Sequence, residues 1–144
     1  MDGKMAGDLR EAGPKPGSDS EKITINLGYV DLGHIDLLVR EGFYANRTDL
    51  IRTAIRNQIE RHAEATRQSV ARKQLDLGLR RYSRADLEAA LAAGHQLEIR
   101  VLGLVSIAED VSPDLARAAI ASVSVLGALQ ASAAVKAALA GRIR

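Results

Sequence analysis

The segment Lys22-Ile23-Thr24-Ile25-Asn26-Leu27 restricts the fold more than any other, because it reads as a short strand with no obvious partner nearby. Ile23, Ile25 and Leu27 alternate with Lys22, Thr24 and Asn26. Period two places the two sets on opposite faces of an extended chain. Gly28 ends the run. A lone strand leaves its peptide N–H and C=O groups unpaired and buries too little surface to persist in water. The strand therefore predicts pairing with a second copy of itself, antiparallel across a two-fold axis. The apolar side chains then enter a shared core and the polar ones point outward.

The residues that follow supply the rest of that core. A helix is expected over about 31–41, with Leu32, Ile35, Leu38 and Val39 on one stripe. Gly42 suits the left-handed position just past a helix end, and Phe43 and Tyr44 are expected to anchor the turn. Asn46 is a good N-cap, and Asp49 three residues on resembles a capping box with Asp in place of Glu. Leu50, Ile51, Ala54, Ile55 and Ile59 recur at helical spacing, and the helix is expected to continue as a charged connector over 63–72. The expected dimer core is Ile23, Ile25, Leu27, Ile35, Leu38, Leu50, Ile51 and Ile55. Strand, helix, turn and helix in some forty residues bury too little for a lone domain, and pairing two copies removes that difficulty.

The outward face carries the chemistry. A two-stranded ribbon fits the major groove of B-DNA. Lys22 can donate to guanine, Asn26 can pair with adenine, and Thr24 can hydrogen-bond or touch a thymine methyl. The plainer reading, a solvated face of an edge strand, suits one strand taken alone. The whole strand–helix–turn–helix arrangement favours DNA.

Lys22–Leu27, the helix over 31–41 and the stretch Glu41-Gly-Phe-Tyr-Ala-Asn-Arg-Thr-Asp-Leu50 together resemble the ribbon-helix-helix family, which includes the CopG, Arc and MetJ repressors and ParD-type antitoxins. The resemblance covers residues 21 to about 62 and implies a dimeric DNA-binding domain there. It also implies that backbone amides opening the second helix clamp a DNA phosphate, here around Asn46, Arg47 and Thr48. A helix N-terminus offers free N–H groups and positive partial charge, which suits that role.

Residues 73–144 look like a repeat. Leu97–Ile120 can be laid over Ala121–Arg144 without a gap, so that Ile99, Val101, Leu102 and Gly103 fall on Val123, Val125, Leu126 and Gly127. Leu75, Leu77, Leu87 and Leu91 suggest a weaker copy one 24-residue period earlier. Each copy reads as a strand followed by a helix, with Ser83, Ser112 and Ser132 as helix caps and the two glycines as strand breaks. The expected fold class is α+β: a dimeric ribbon-helix-helix domain plus a small, solenoid-like strand–helix repeat domain that joins dimers into larger assemblies.

Composition limits the alternatives. Residues 1–20 mix Gly, Pro, Asp, Lys and Ser without periodicity and are expected to be a disordered arm. A competing reading has Lys4, Arg10 and Lys15 touching DNA phosphates, against which stand the arm's acidic residues. With 3% aromatic residues the core must be aliphatic, and with no Cys there is neither a disulfide nor a thiolate metal site. His34, His62 and His95 are too scattered to show ligand spacing. No nucleophile–base pair or phosphate-binding glycine loop stands out, so neither an enzyme nor a cofactor is expected. The absence of a bilayer-length apolar run or a signal-peptide pattern predicts a cytoplasmic, nucleoid-associated protein without a membrane partner. The leading function is a sequence-specific transcriptional repressor acting on double-stranded DNA. The alternatives are an antitoxin whose tail wraps a toxin, disfavoured by an apolar tail, and a regulator sensing a small ligand through its tail.

Overall fold

A computed structural model describes residues 10–11 and 19–144 of the chain. The elements in order are β1 (Arg10–Glu11), β2 (Ile23–Thr24), α1 (Tyr29–Arg40), α2 (Arg47–Arg61), α3 (Ala63–Lys73), β3 (Asp76–Tyr82), α4 (Arg84–Ala92), β4 (Leu97–Ile107), α5 (Pro113–Ala119), β5 (Ile120–Gln130) and α6 (Ala133–Ala138). They divide into two compact units, one built on Glu21–Ser69 with Arg10 and Glu11, the other on Val70–Arg144. The expectation of disorder over 1–20 falls mostly outside the described residues.

The first unit holds α1, α2, the start of α3 and a minimal strand pair. α1 ends in a Schellman turn: Gly42 has φ 85°, its N–H donates to Val39 O, and the Phe43 N–H reaches back to Leu38 O. α2 begins at the cap Asn46, whose Oδ1 accepts from the Asp49 N–H at 2.8 Å. The reciprocal carboxylate bond closes on the Ala45 N–H (3.0 Å), one residue earlier than a standard capping box. His62 separates α2 from α3, and α3 is helical over the stretch expected as a charged helix.

Two expectations need correction here. The strand expected to lack a partner within the chain has one: β2 pairs antiparallel with β1, Arg10 opposite Thr24 and Glu11 opposite Ile23. An unsatisfied strand edge takes the nearest extended backbone, and the arm provides it. Phe43 does not anchor the turn, since 71% of it is exposed, while Tyr44 is half-buried.

The second unit is three consecutive strand–helix pairs, β3-α4, β4-α5 and β5-α6, whose strands form one parallel sheet in the order β3-β4-β5. Each helix starts at a serine whose hydroxyl accepts a backbone N–H: Ser83 from Asp86, Ser112 from Leu115 and Ser132 from Val135, each at 3.1 Å. Ser83 and Asp86 complete a full capping box. Ile99, Val101, Val105 and Ile107 of β4 pack with Leu87 of α4, Ala116 and Ala119 of α5, Val123 of β5 and Val135 and Leu139 around α6. α5 runs into β5 without a loop, and side chains satisfy its last carbonyls: Gln96 donates to Ala118 O, and Arg142 to Arg117 O and Ile120 O. After α6 the chain returns to the sheet, where Ile143 bridges Val123 in parallel.

The 24-residue offset that superposes Gly103 on Gly127 is the register of β4 with β5. The earlier copy is shifted by one residue from expectation: Leu77 pairs with Leu102 and Gly78 with Gly103. A slip of one residue turns a strand over. Leu77 and Leu79 accordingly stay 65% and 46% exposed instead of entering the core. The glycines do not break their strands. All three continue through Gly78, Gly103 and Gly127 at φ 112°, 141° and 127°, which side chains rarely tolerate. A Cβ on Gly103 would collide with the Gly78 carbonyl, and one on Gly127 with the Gly103 carbonyl, whereas one on Gly78 would meet open space. Glycine at 103 and 127 is thus demanded twice, by conformation and by contact. Gly103→Ala should destabilise the second unit by about 3 kcal/mol or more. Gly78→Ala carries only the conformational penalty and should cost measurably less, as chemical denaturation of the two variants will read.

Candidate nucleic-acid interface

The polar residues singled out on the ribbon occupy the surface of the first unit. Lys22 and Asn26 are exposed and Thr24 is half-buried. Regular strand geometry covers only Ile23 and Thr24, so Lys22 and Asn26 flank the strand and do not lie within it. Ile25 and Leu27 are half-buried, but Ile23 is 62% exposed, so the expected alternation of apolar and polar faces does not appear here.

The second candidate feature is the start of α2. Asn46 caps it through its side chain, and Thr48 is exposed in the first turn. The peptide N–H groups of a first helical turn have no carbonyl within the helix to donate to, so they point along the axis as ready anion donors. Arg47 has a different task for its side chain. Its guanidinium grips Asp36 of α1 with two parallel bonds, Nε to Oδ1 at 2.8 Å and Nη2 to Oδ2 at 2.9 Å. This fork ties the two helices together across the turn. Asp36 was not identified from the sequence. The available signal was one of two carboxylates on α1, Asp31 and Asp36, and nothing in the pattern linked Asp36 to a residue eleven positions away.

The expected dimer-core residues lie on this unit without being enclosed by it. Ile25, Leu27, Ile35, Leu50 and Ile51 are half-buried, while Leu38 and Ile55 are 36% and 53% exposed. None of the three helices contains a buried residue. Tyr29, Val30, Leu37, Phe43 and Ile59 add to the exposed apolar surface. Among the described residues, no three His, Cys, Asp or Glu side chains come together, and no helix is long and apolar enough to cross a membrane.

The ribbon-helix-helix transcriptional regulator family is matched by residues 18–136. The match runs well past the stretch that carries the resemblance in the sequence and takes in nearly all of the β3–β5 sheet unit. No curated protein and no solved structure matches the chain.

The Arg47 hydrogen bond holds the Asp36 carboxyl below its ordinary value, opposed by desolvation and helped by the charges of Arg47 and Arg40. A carboxyl depressed in the folded state stabilises the fold above its unfolded pKa and loses that contribution as pH falls through the folded value. Asp36→Asn should therefore lower the thermal midpoint at neutral pH and bring variant and wild type together in acid, well below about pH 4. Curves that stay parallel down the acid limb would show that the fork contributes no pH-dependent stability.

Proposed function

The chain belongs to the ribbon-helix-helix transcriptional regulator family, and from that premise we propose that it is a sequence-specific repressor that binds double-stranded DNA as a homodimer. The observation that carries this reading is the state of the first unit. It exposes Ile23, Leu37, Phe43, Ile55 and Ile59, and its helices bury nothing completely. Such a unit is half of a core, and a second copy offers the same apolar surface by symmetry. In the dimer the two β2 strands pair with each other in place of the Arg10–Glu11 contact. The ribbon enters the major groove, Lys22, Thr24 and Asn26 read base edges, and the amides that follow Asn46, at Arg47 and Thr48, hold a phosphate on each side.

The second unit fits a role in joining such dimers, since it buries a core of its own and keeps apolar residues on its surface. An antitoxin tail that folds only on its toxin is a poorer description of a segment that already packs against itself. A repressor of this kind works in the cytoplasm, on the nucleoid.

Two variants test the reading. Ile25→Asp places a carboxylate in the shared core and should unfold the first unit while leaving the sheet unit intact. A well-folded monomer, for this variant or for the wild type, would contradict the obligate dimer. Asn26→Ala should lower the ratio of specific to non-specific DNA binding by about 1–3 kcal/mol, measured on a selected site and on random duplex at one salt concentration. Equal losses on both DNAs would remove Asn26 from base readout.

A further inference from the structure

β3 is an edge strand of the second unit's sheet, and its only partner among the described strands is β4. Seven residues long, it is exposed along nearly its whole length, with only Tyr82 half-buried. Exposed edges of this kind usually carry charged side chains, Pro or a short span that blocks further pairing. β3 contains no Pro, but Asp76, Arg80 and Arg81 charge the edge, so only a strand that answers those charges can pair with it. Its centre reads Asp76-Leu77-Gly78-Leu79-Arg80, a sequence symmetric in character about Gly78: glycine in the middle, leucines on each side, opposite charges outside.

We propose that β3 pairs antiparallel with β3 of a second copy, across a two-fold axis at Gly78, and so joins two DNA-binding dimers; the proposal rests on the dimer reading above. A two-fold axis normal to a sheet can place opposite each other only residues that share a face, which limits the registers to those centred on a residue. Centring on Gly78 sets Leu77 against Leu79 of the other copy and Asp76 against Arg80 of the other copy, each pair formed twice. Centring on Leu77 or on Leu79 sets a glycine or an uncharged side chain against one or both charges. Only one register therefore satisfies both the apolar and the charged positions. Cross-strand apolar and opposite-charge pairs are the contacts that stabilise sheets.

The geometry at the edge agrees. Leu77 and Leu79 are 65% and 46% exposed. Asp76 and Arg80 meet within one chain at 3.7 Å, with half or more of each side chain in solvent, so both remain accessible to a partner. Open space lies where a side chain on Gly78 would project, whereas in β4 and β5 the glycine is pressed against the strand before it. The glycine bend of β3 thus leaves room for another backbone, and two copies that share the bend can follow one another through it.

The test uses the full chain and its subunit number by sedimentation or native mass measurement. Wild type should populate a tetramer in equilibrium with the dimer. Arg80→Asp places carboxylate against carboxylate in both outer pairs, and Asp76→Arg places guanidinium against guanidinium. Each variant alone should raise the dimer–tetramer dissociation constant about tenfold or more. An equimolar mixture of the two variants should recover the tetramer, because opposite charges face each other again between chains although neither chain keeps its internal ion pair. Wild type that stops at the dimer, single variants that keep the tetramer, or a mixture that fails to recover it overturns the β3 pairing and leaves the dimer reading standing. A monomeric wild type overturns both.

Discussion

The hydrogen-bonding demand of strand edges organises both halves of this chain. Each peptide N–H and C=O left on an edge must find a partner or stay in water, and what can be built on a strand depends on how that demand is met. β4 is flanked on both sides and supplies the largest share of the buried core. β5 is covered by β4 on one side, and near its start by the returning chain at Ile143 on the other. Among the described residues, β2 has only the two residues of β1, and β3 has only β4. Completeness follows the same order: the β4 region closes a core within one chain, and the β2 region does not.

That gradient is physical ground for a division of labour. The second unit packs Leu, Ile, Val and Ala from three strands and three helices into one closed cluster. Its rungs stack closely because glycine carbonyls sit where side chains would otherwise stand. The first unit is fastened by a helix cap, a Schellman turn and the Arg47–Asp36 fork, all of which orient helices without burying apolar surface. Its helix directions are set while much of its apolar surface stays exposed.

Much of this was legible in the residues. The Asn46 cap, Gly42 past α1 and the three serine caps each depend on contacts within a few positions, and local chemistry determines them. The offset of Gly103 and Gly127 was equally readable, because stacked parallel strands repeat the same demand at the same interval. Three things were not legible. The pairing of β2 with Arg10–Glu11 arises from a segment whose sequence carries no strand pattern. The partnership of Arg47 with Asp36 depends on how two helices are set against each other. The one-residue shift of β3 was hidden because hydrophobicity favours the register that turns Leu77 and Leu79 to the core, and the contact between glycine-bearing strands overrides it.

The register of β3 marks the boundary between the two kinds of information. Capping and periodicity within one element determine the helix starts after Asn46, Ser83, Ser112 and Ser132 and the recurrence of Gly103 at Gly127. That Gly78, and not a leucine, meets Gly103 is settled between strands. The reason is steric: the carbonyl of one rung occupies the place of a side chain on the next, so the glycines must align, and the leucines are turned to the outer face as a result.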